Sequence, residues 1–327
     1  MSDEITINAP HHLAEVSDEP ISYRARVREY YLALGFNTPY QWAHYHEVPL
    51  ARLARPLRES NIALVTTAAP FNPEAGDQGP GACYNGAAKF YSVYEFDVHN
   101  PPQPGISHVA YDRVHTHAKD NNTWLPLEQL KAAVQSGVIG GLAKTGFGLP
   151  TNRSQRKTCE VDCPDLLARI RAYRGSANPG SHSQSVAGSD SIDAVVLVPN
   201  CPVCHQSVSL AARHLEASGI PTVIMGCAKD IVEYVGVPRF LFSDFPLGNS
   251  AGKPDDAESQ KQTLRMALEL LESARLPRTT VQSPQKFADN HEWKRDYYNV
   301  SGMSEHELQV LRDDFDAQKK AARRVAR

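Results

Sequence analysis

Residues 192–206 read Ile-Asp-Ala-Val-Val-Leu-Val-Pro-Asn-Cys-Pro-Val-Cys-His-Gln, and the fold class turns on them. Ile192 to Val198 is a short apolar run bounded by turn residues, which predicts a buried strand. Gln206 to Ala217 then reads as a helix, Pro221 to Met225 as a second strand and Ala228 to Val235 as a second helix. Strands alternating with helices in this way imply a parallel sheet.

Working outward, Tyr23, Val27, Tyr30, Tyr31 and Leu34 recur at helical spacing before Gly35 and Pro39. Asn61 to Thr67 suits a buried strand that ends in a Pro, Gly and Asn-rich loop, and Tyr91 to Phe96 alternates like another. Pro126 to Gln135 and Pro164 to Tyr173 read as helices. The tail from Ser304 has Ser304 and Glu307 in capping-box register, with Lys319, Lys320, Arg323 and Arg324 where a helix dipole favours cations.

The expectation is an α/β protein of two Rossmann-like lobes with parallel sheets, an active-site cleft between them and extra terminal helices. The lobes would be 1–150, with a His/Asp-rich segment, and 191–285, with the cysteine pair. Residues 151–190 would form a basic and then Gly/Ser-rich linker, and 286–327 a helical tail. With 327 residues, 41% of them hydrophobic, the chain can bury one large core or two ordinary ones.

A net charge of −3 argues against nucleic acid or anionic membranes as partners and favours a small molecule. The N-terminus lacks the pattern of an export signal and no apolar run approaches a membrane span, so a cytoplasmic location is expected, with a homo-oligomer as the default assembly. Six cysteines in a reducing compartment point to metal binding or redox work rather than to a disulfide framework.

Cys201 directly follows a parallel strand and precedes a helix, where ligands collect in such sheets. A thiol at a helix N-terminus tends to have a lowered pKa, and two thiols at this spacing can close a disulfide during turnover. Three other readings compete. Cys201-x-x-Cys204-His205 matches the sequence of c-type haem attachment. Cys159, Cys163, Cys201 and Cys204 could close a structural zinc site, although a helix and a linker part the pairs. The plainest reading is two buried cysteines. Cys83 and Cys227 read as structural.

Ser107 to Asp120 concentrates His108, Tyr111, Asp112, His115 and His117, which can supply a general acid and base or, with Asp112 or Asp120, ligate a metal. For each histidine the alternative is a solvated loop.

From about Thr38 to Ser273 the sequence resembles the selenoprotein B subunits of glycine, sarcosine and betaine reductases and the selenoprotein subunit of D-proline reductase. The landmarks occur in order: Val48-Pro-Leu-Ala-Arg-Leu-Ala-Arg-Pro-Leu, Ala63-Leu-Val-Thr-Thr, Ser107-His108 with Tyr111-Asp112, Trp124-Leu-Pro-Leu-Glu-Gln-Leu, Gly137-Val-Ile-Gly, Cys201-x-x-Cys204, Ala217-Ser-Gly-Ile-Pro and Phe245-Pro-Leu-Gly-Asn. The resemblance implies that Cys201 stands at the family's selenocysteine, whose selenolate attacks carbon so that a C–N bond is cleaved reductively. It assigns Cys204 to resolving the adduct, and it implies a partner reductase subunit holding a pyruvoyl group.

The expected function is therefore a thiol-dependent reductase cleaving a C–N or C–S bond through Cys201 and Cys204. An external dithiol or thioredoxin-like reductant would reset the pair, and no bound cofactor is certain. His108, Tyr111, Asp112, His115 or His117 would supply protons. The alternatives are a metal-dependent lyase or hydrolase, including a desulfurase, using zinc or iron, and a non-catalytic subunit of a reductase complex.

Overall fold

The computed structural model describes residues 19–69, 73–76, 85–101, 105, 108, 110–174 and 191–325. Cys83, Ser107 and the Gly/Ser-rich stretch 175–190 lie outside the described residues.

The strands are β1 (Asn61–Thr66), β2 (Tyr94–Asp97), β3 (Gly141–Leu142), β4 (Thr145–Gly148), β5 (Ala194–Val198), β6 (Thr222–Gly226), β7 (Arg239–Phe242) and β8 (Thr279–Gln282). They form one sheet in the order β2-β4-β1-β5-β6-β7-β8, with β3 also on β1, and every pairing is parallel except β2 with β4. The two separate sheets expected from the sequence are thus replaced by a single one. β1, from the first half of the chain, pairs over its length with β5 from the second, Ile62 opposite Ala194 through Thr66 opposite Val198.

The helices are α1 (Tyr23–Ala33), α2 (Leu127–Gln135), the single turn α3 (Gln155–Lys157), α4 (Cys163–Ala172), α5 (Pro202–Ala217), α6 (Lys229–Val235), α7 (Ala257–Ser273), the short α8 (Trp293–Asp296) and α9 (Glu305–Val325). A π-helical turn, Thr158–Asp162, joins α3 to α4.

Side chains alternate across a strand, and here both faces are covered. Ile62, Leu64, Val196 and Val198 pack with α2 and α7 residues such as Leu130 and Leu268. Ala63, Val65, Val195 and Leu197 pack on the other face with α4 and α5 residues such as Leu166 and Val208. All five β5 side chains are buried, and each Val or Leu so placed contributes roughly 1.5–3 kcal/mol. Burial on both sides is why these strands read as unbroken apolar runs.

From β1 the chain next adds strands on one side of it, and from β5 on the other. The ends of these two neighbouring strands meet where Thr67 N–H donates to Val198 O at 3.2 Å. A crevice outside the carboxyl ends of strands at such a reversal is where ligands bind in open α/β sheets. Among the described residues no helix is long and apolar enough to cross a membrane.

Candidate active site

Cys201 is the N-cap of α5. Its backbone is extended (φ −136°, ψ 171°) and its Sγ accepts the Cys204 N–H at 3.2 Å. Pro202 at the first helical position has its φ preset and no N–H to satisfy. The helix therefore starts at Pro202, a turn earlier than the Gln206 start expected from periodicity.

His205 fixes this turn from behind. Its backbone N–H donates to Cys201 O at 3.0 Å, and its Nδ1 lies 2.8 Å from the same oxygen. Nε2 accepts the N–H groups of Cys227 at 2.9 Å and Ala228 at 3.2 Å. Nε2 as acceptor requires Nδ1 to be the donor. Burial pushes the imidazole down to about 4, against 6.5 ordinarily, so it is neutral. Both nitrogens are committed inside the protein, which removes His205 as the axial ligand that the haem-attachment reading needs.

The donor atoms of His108, Cys201 and Cys204 lie within 4.8 Å of one another, and all three residues are buried. Burial, followed by the neighbouring Cys204, raises the Cys201 thiol well above its ordinary range. Burial opposes ionisation of Cys204 as well. The neighbouring Cys201 and the charge of His108 outweigh it and hold Cys204 well below the ordinary thiol range. The two thiols are therefore pushed in opposite directions, Cys201 up and Cys204 down. The sequence leads one to expect the helix N-terminus to lower the Cys201 thiol, whereas the direction here is upward. The Cys204 N–H does favour a Cys201 thiolate, but burial outweighs it.

Cys201, not Cys204, faces a cavity of about 300 Å³, which His108 also lines. Tyr31 of α1, Tyr298 and Phe315 of α9 supply apolar wall, and Lys89, Arg153, Lys319 and Arg323 bring positive charge. The tail helix α9 is docked over this cavity. Tyr91 Oη donates to Ala322 O at 2.7 Å, Gly86 N–H donates to Gln318 Oε1 at 2.9 Å, and Arg312 bonds the Leu34 carbonyl. Tyr298 stacks on Tyr30 with ring centroids 4.1 Å apart, tying the segment before α9 to α1.

The remaining expected residues lie elsewhere. Tyr111 is buried in the main core, its ring over Gly248, where a Cβ would sit 2.0 Å from Cε2. Asp112 caps a turn, accepting the N–H groups of Val114 at 3.1 Å and His115 at 3.0 Å, and it holds His115 Nδ1 at 3.0 Å. His117 Nε2 pairs with Asp255 at 3.1 Å on the surface. Of the His/Asp-rich segment, the structure brings His108 to the thiols and leaves Tyr111, Asp112, His115 and His117 off the cavity wall.

The four-cysteine zinc reading is also corrected. Cys159 and Cys163 line a separate depression with Tyr45 and Arg213, and among the described residues the metal-ligating set at the pair is completed by His108 alone. Cys227 is buried, and burial raises it to about 12, which leaves it a packed thiol.

Sequence reasoning did not identify Thr67, Lys89, Tyr298 or Phe315. Arg153 stood in a basic stretch whose role had no local signal.

No family model matches the chain, and no solved structure matches it. Two curated relatives do. The chain is 28% identical over 157 residues, 48% of its length and 57% of the relative's, to D-proline reductase subunit gamma of Acetoanaerobium sticklandii. It is 21% identical over 249 residues, 73% of its length and 51% of the relative's, to glycine reductase complex component B subunit gamma of Peptoclostridium acidaminophilum. The chain spans about half the length of the curated relatives it matches.

Proposed function

We propose, from the premise that this chain is a relative of the selenoprotein B-like reductase subunits, that it is the thiol-bearing component of a reductase and cleaves a C–N or C–S bond. The observation that carries this reading is the Cys201–Cys204 pair beside a cavity that Cys201 and His108 line, with the donor atoms of all three residues within 4.8 Å of one another.

The chemistry balances as follows. Cys204 thiolate takes the proton of Cys201, and the Cys201 sulfur attacks the substrate atom, forming a bond to it as the bond to the leaving group breaks. The leaving group departs with that electron pair. Cys204, giving its proton to His108, then attacks Cys201 Sγ to close the disulfide. The pair of electrons in the Cys201–substrate bond goes to the substrate, which takes up the proton from His108. The substrate gains two electrons, the cysteines lose two, and an external dithiol of the thioredoxin kind restores them. Both relatives are named as subunits, which supports work alongside a partner subunit.

The test is anaerobic incubation of the reduced protein, alone and with its copurifying partner, with small amines, thioethers and thioamides. Intact mass should show loss of two hydrogens from the pair together with reduced product, and both should vanish in Cys201→Ser. Turnover that survives in Cys201→Ser overturns the reading.

A second reading rests on the same three donors. Two thiolates and an imidazole, with the fourth side open to a cavity, match the ligand set of some catalytic zinc sites. His108 Nδ1 is buried without a partner, which fits a site able to take a metal. Zinc there would supply Lewis acidity while this chain's residues position the substrate. Stoichiometric zinc whose removal abolishes activity would favour a lyase or hydrolase instead.

A further inference from the structure

The cavity over Cys201 carries a charge pattern that the thiol chemistry does not require. Lys89, Arg153, Lys319 and Arg323 line it, and among the described residues no carboxylate does. Among the described residues none of the four has an acidic partner within salt-bridge distance. Arg153 donates instead to the Tyr31 hydroxyl at 2.6 Å and lies 4.8 Å from the Tyr31 ring and 5.3 Å from the Phe315 ring. Lys319 lies 5.2 Å from the Phe36 ring and 5.9 Å from the Phe315 ring. Lys89 Nζ lies 5.2 Å from the Tyr91 ring. With Lys89, Arg153, Lys319 and Arg323 on its lining and no carboxylate among the described lining residues, the cavity is positive, and cations lining a cleft focus an anion into it.

The walls between these cations are aromatic. We infer that the ligand of this cavity is an organic anion with an aromatic-sized apolar body, its charged group held by Arg153 and the α9 cations Lys319 and Arg323 and its body lying between Tyr31, Tyr298 and Phe315. This deepens the reading of the preceding section, since such an anion presents its electrophilic atom to Cys201. α1 and α9 lie outside the Thr38–Ser273 stretch that resembles the reductase subunits, whereas Arg153 lies within it.

The experiment compares alkylation of Cys201 by iodoacetate, an anion, with alkylation by neutral iodoacetamide, using peptide mass spectrometry on the full chain. Iodoacetate should react about tenfold faster relative to a free thiol standard. That preference should collapse at about 1 M salt, which screens charge without any mutation, and in Lys319→Met/Arg323→Met. Phenylacetate should protect Cys201 at roughly a tenth of the concentration needed for acetate or benzyl alcohol, because each of those lacks either the ring or the charge. Equal rates for the two reagents, or equal protection by acetate and phenylacetate, overturn the inference. Should Cys201 be inert to both reagents, the thiol reading falls instead. Equilibrium dialysis of phenylacetate at low and high salt then decides the anion site by itself, and salt-insensitive or absent binding overturns it.

Discussion

The neutral imidazole of His205 gives the fold an acid-sensitive joint whose size can be worked out. In the folded chain burial pushes it down to about 4, against 6.5 ordinarily; its Nε2 meanwhile accepts two backbone N–H groups. Above pH 6.5 the ring is neutral in both states. Between 6.5 and 4 the unfolded chain binds a proton that the folded chain refuses, so stability falls as the pH falls. The gap of 2.5 between the two values corresponds to about 3 kcal/mol lost on going from pH 7 to pH 4. Other groups titrate in the same window, so the measurement is a difference. His205→Gln keeps an acceptor for Cys227 and Ala228 N–H and removes the ionisation. Urea unfolding of both proteins at half-unit steps from pH 8 to pH 4 should show the wild type ahead by about 1 kcal/mol at pH 7 from the bond to Cys201 O. That lead should reverse by about pH 5. Parallel curves for the two proteins would refute the account.

Removing the sulfur that holds the anion should quiet its neighbour. In Cys204→Ser burial still raises Cys201, so alkylation of Cys201 at pH 7 should slow by about tenfold or more, as timed iodoacetamide labelling can show. Gly226→Ala would place a Cβ 2.8 Å from His205 Nε2 and 2.9 Å from its Cδ2; a loss of about 1–3 kcal/mol is expected from the denaturation midpoint. The buried Arg239–Glu216 pair, 2.7 Å apart, also ties in Ala51 and Thr222. Arg239→Met strands the carboxylate and should cost about 3–5 kcal/mol by chemical denaturation, whereas Arg239→Met/Glu216→Leu should recover part of that loss.

The sequence made the central units legible for a physical reason. β1, β5 and β6 are covered on both faces, so each is an apolar run that stands out from its polar neighbours. β7 was missed because it is four residues long and opens on Arg239, a charge that is tolerable there only because Glu216, far away in sequence, meets it. The pairing of β1 with β5 spans some 130 residues and has no local signature, so one sheet was read as two. At the site, the cysteine spacing was readable, and so was the cluster that contains His108. Which member of that cluster reaches the sulfurs depends on how the loop crosses the ends of β1 and β5. Phe315, Lys319 and Arg323 read as an ordinary amphipathic helix because neither its apolar face nor its basic end says what it covers.

The walls of the cavity come from α1, the turn around Lys89, the start of α5 and α9, segments that the chain brings together across nearly 300 residues. Closing such long loops is entropically costly, and α9 is held mainly by Phe315, Ala322 and a few backbone bonds. Its detachment is therefore a partial opening well below the cost of global unfolding. An occupant that touches both α1 and α9 holds the tail in place, so proteolysis near residue 304 should slow as the cavity fills.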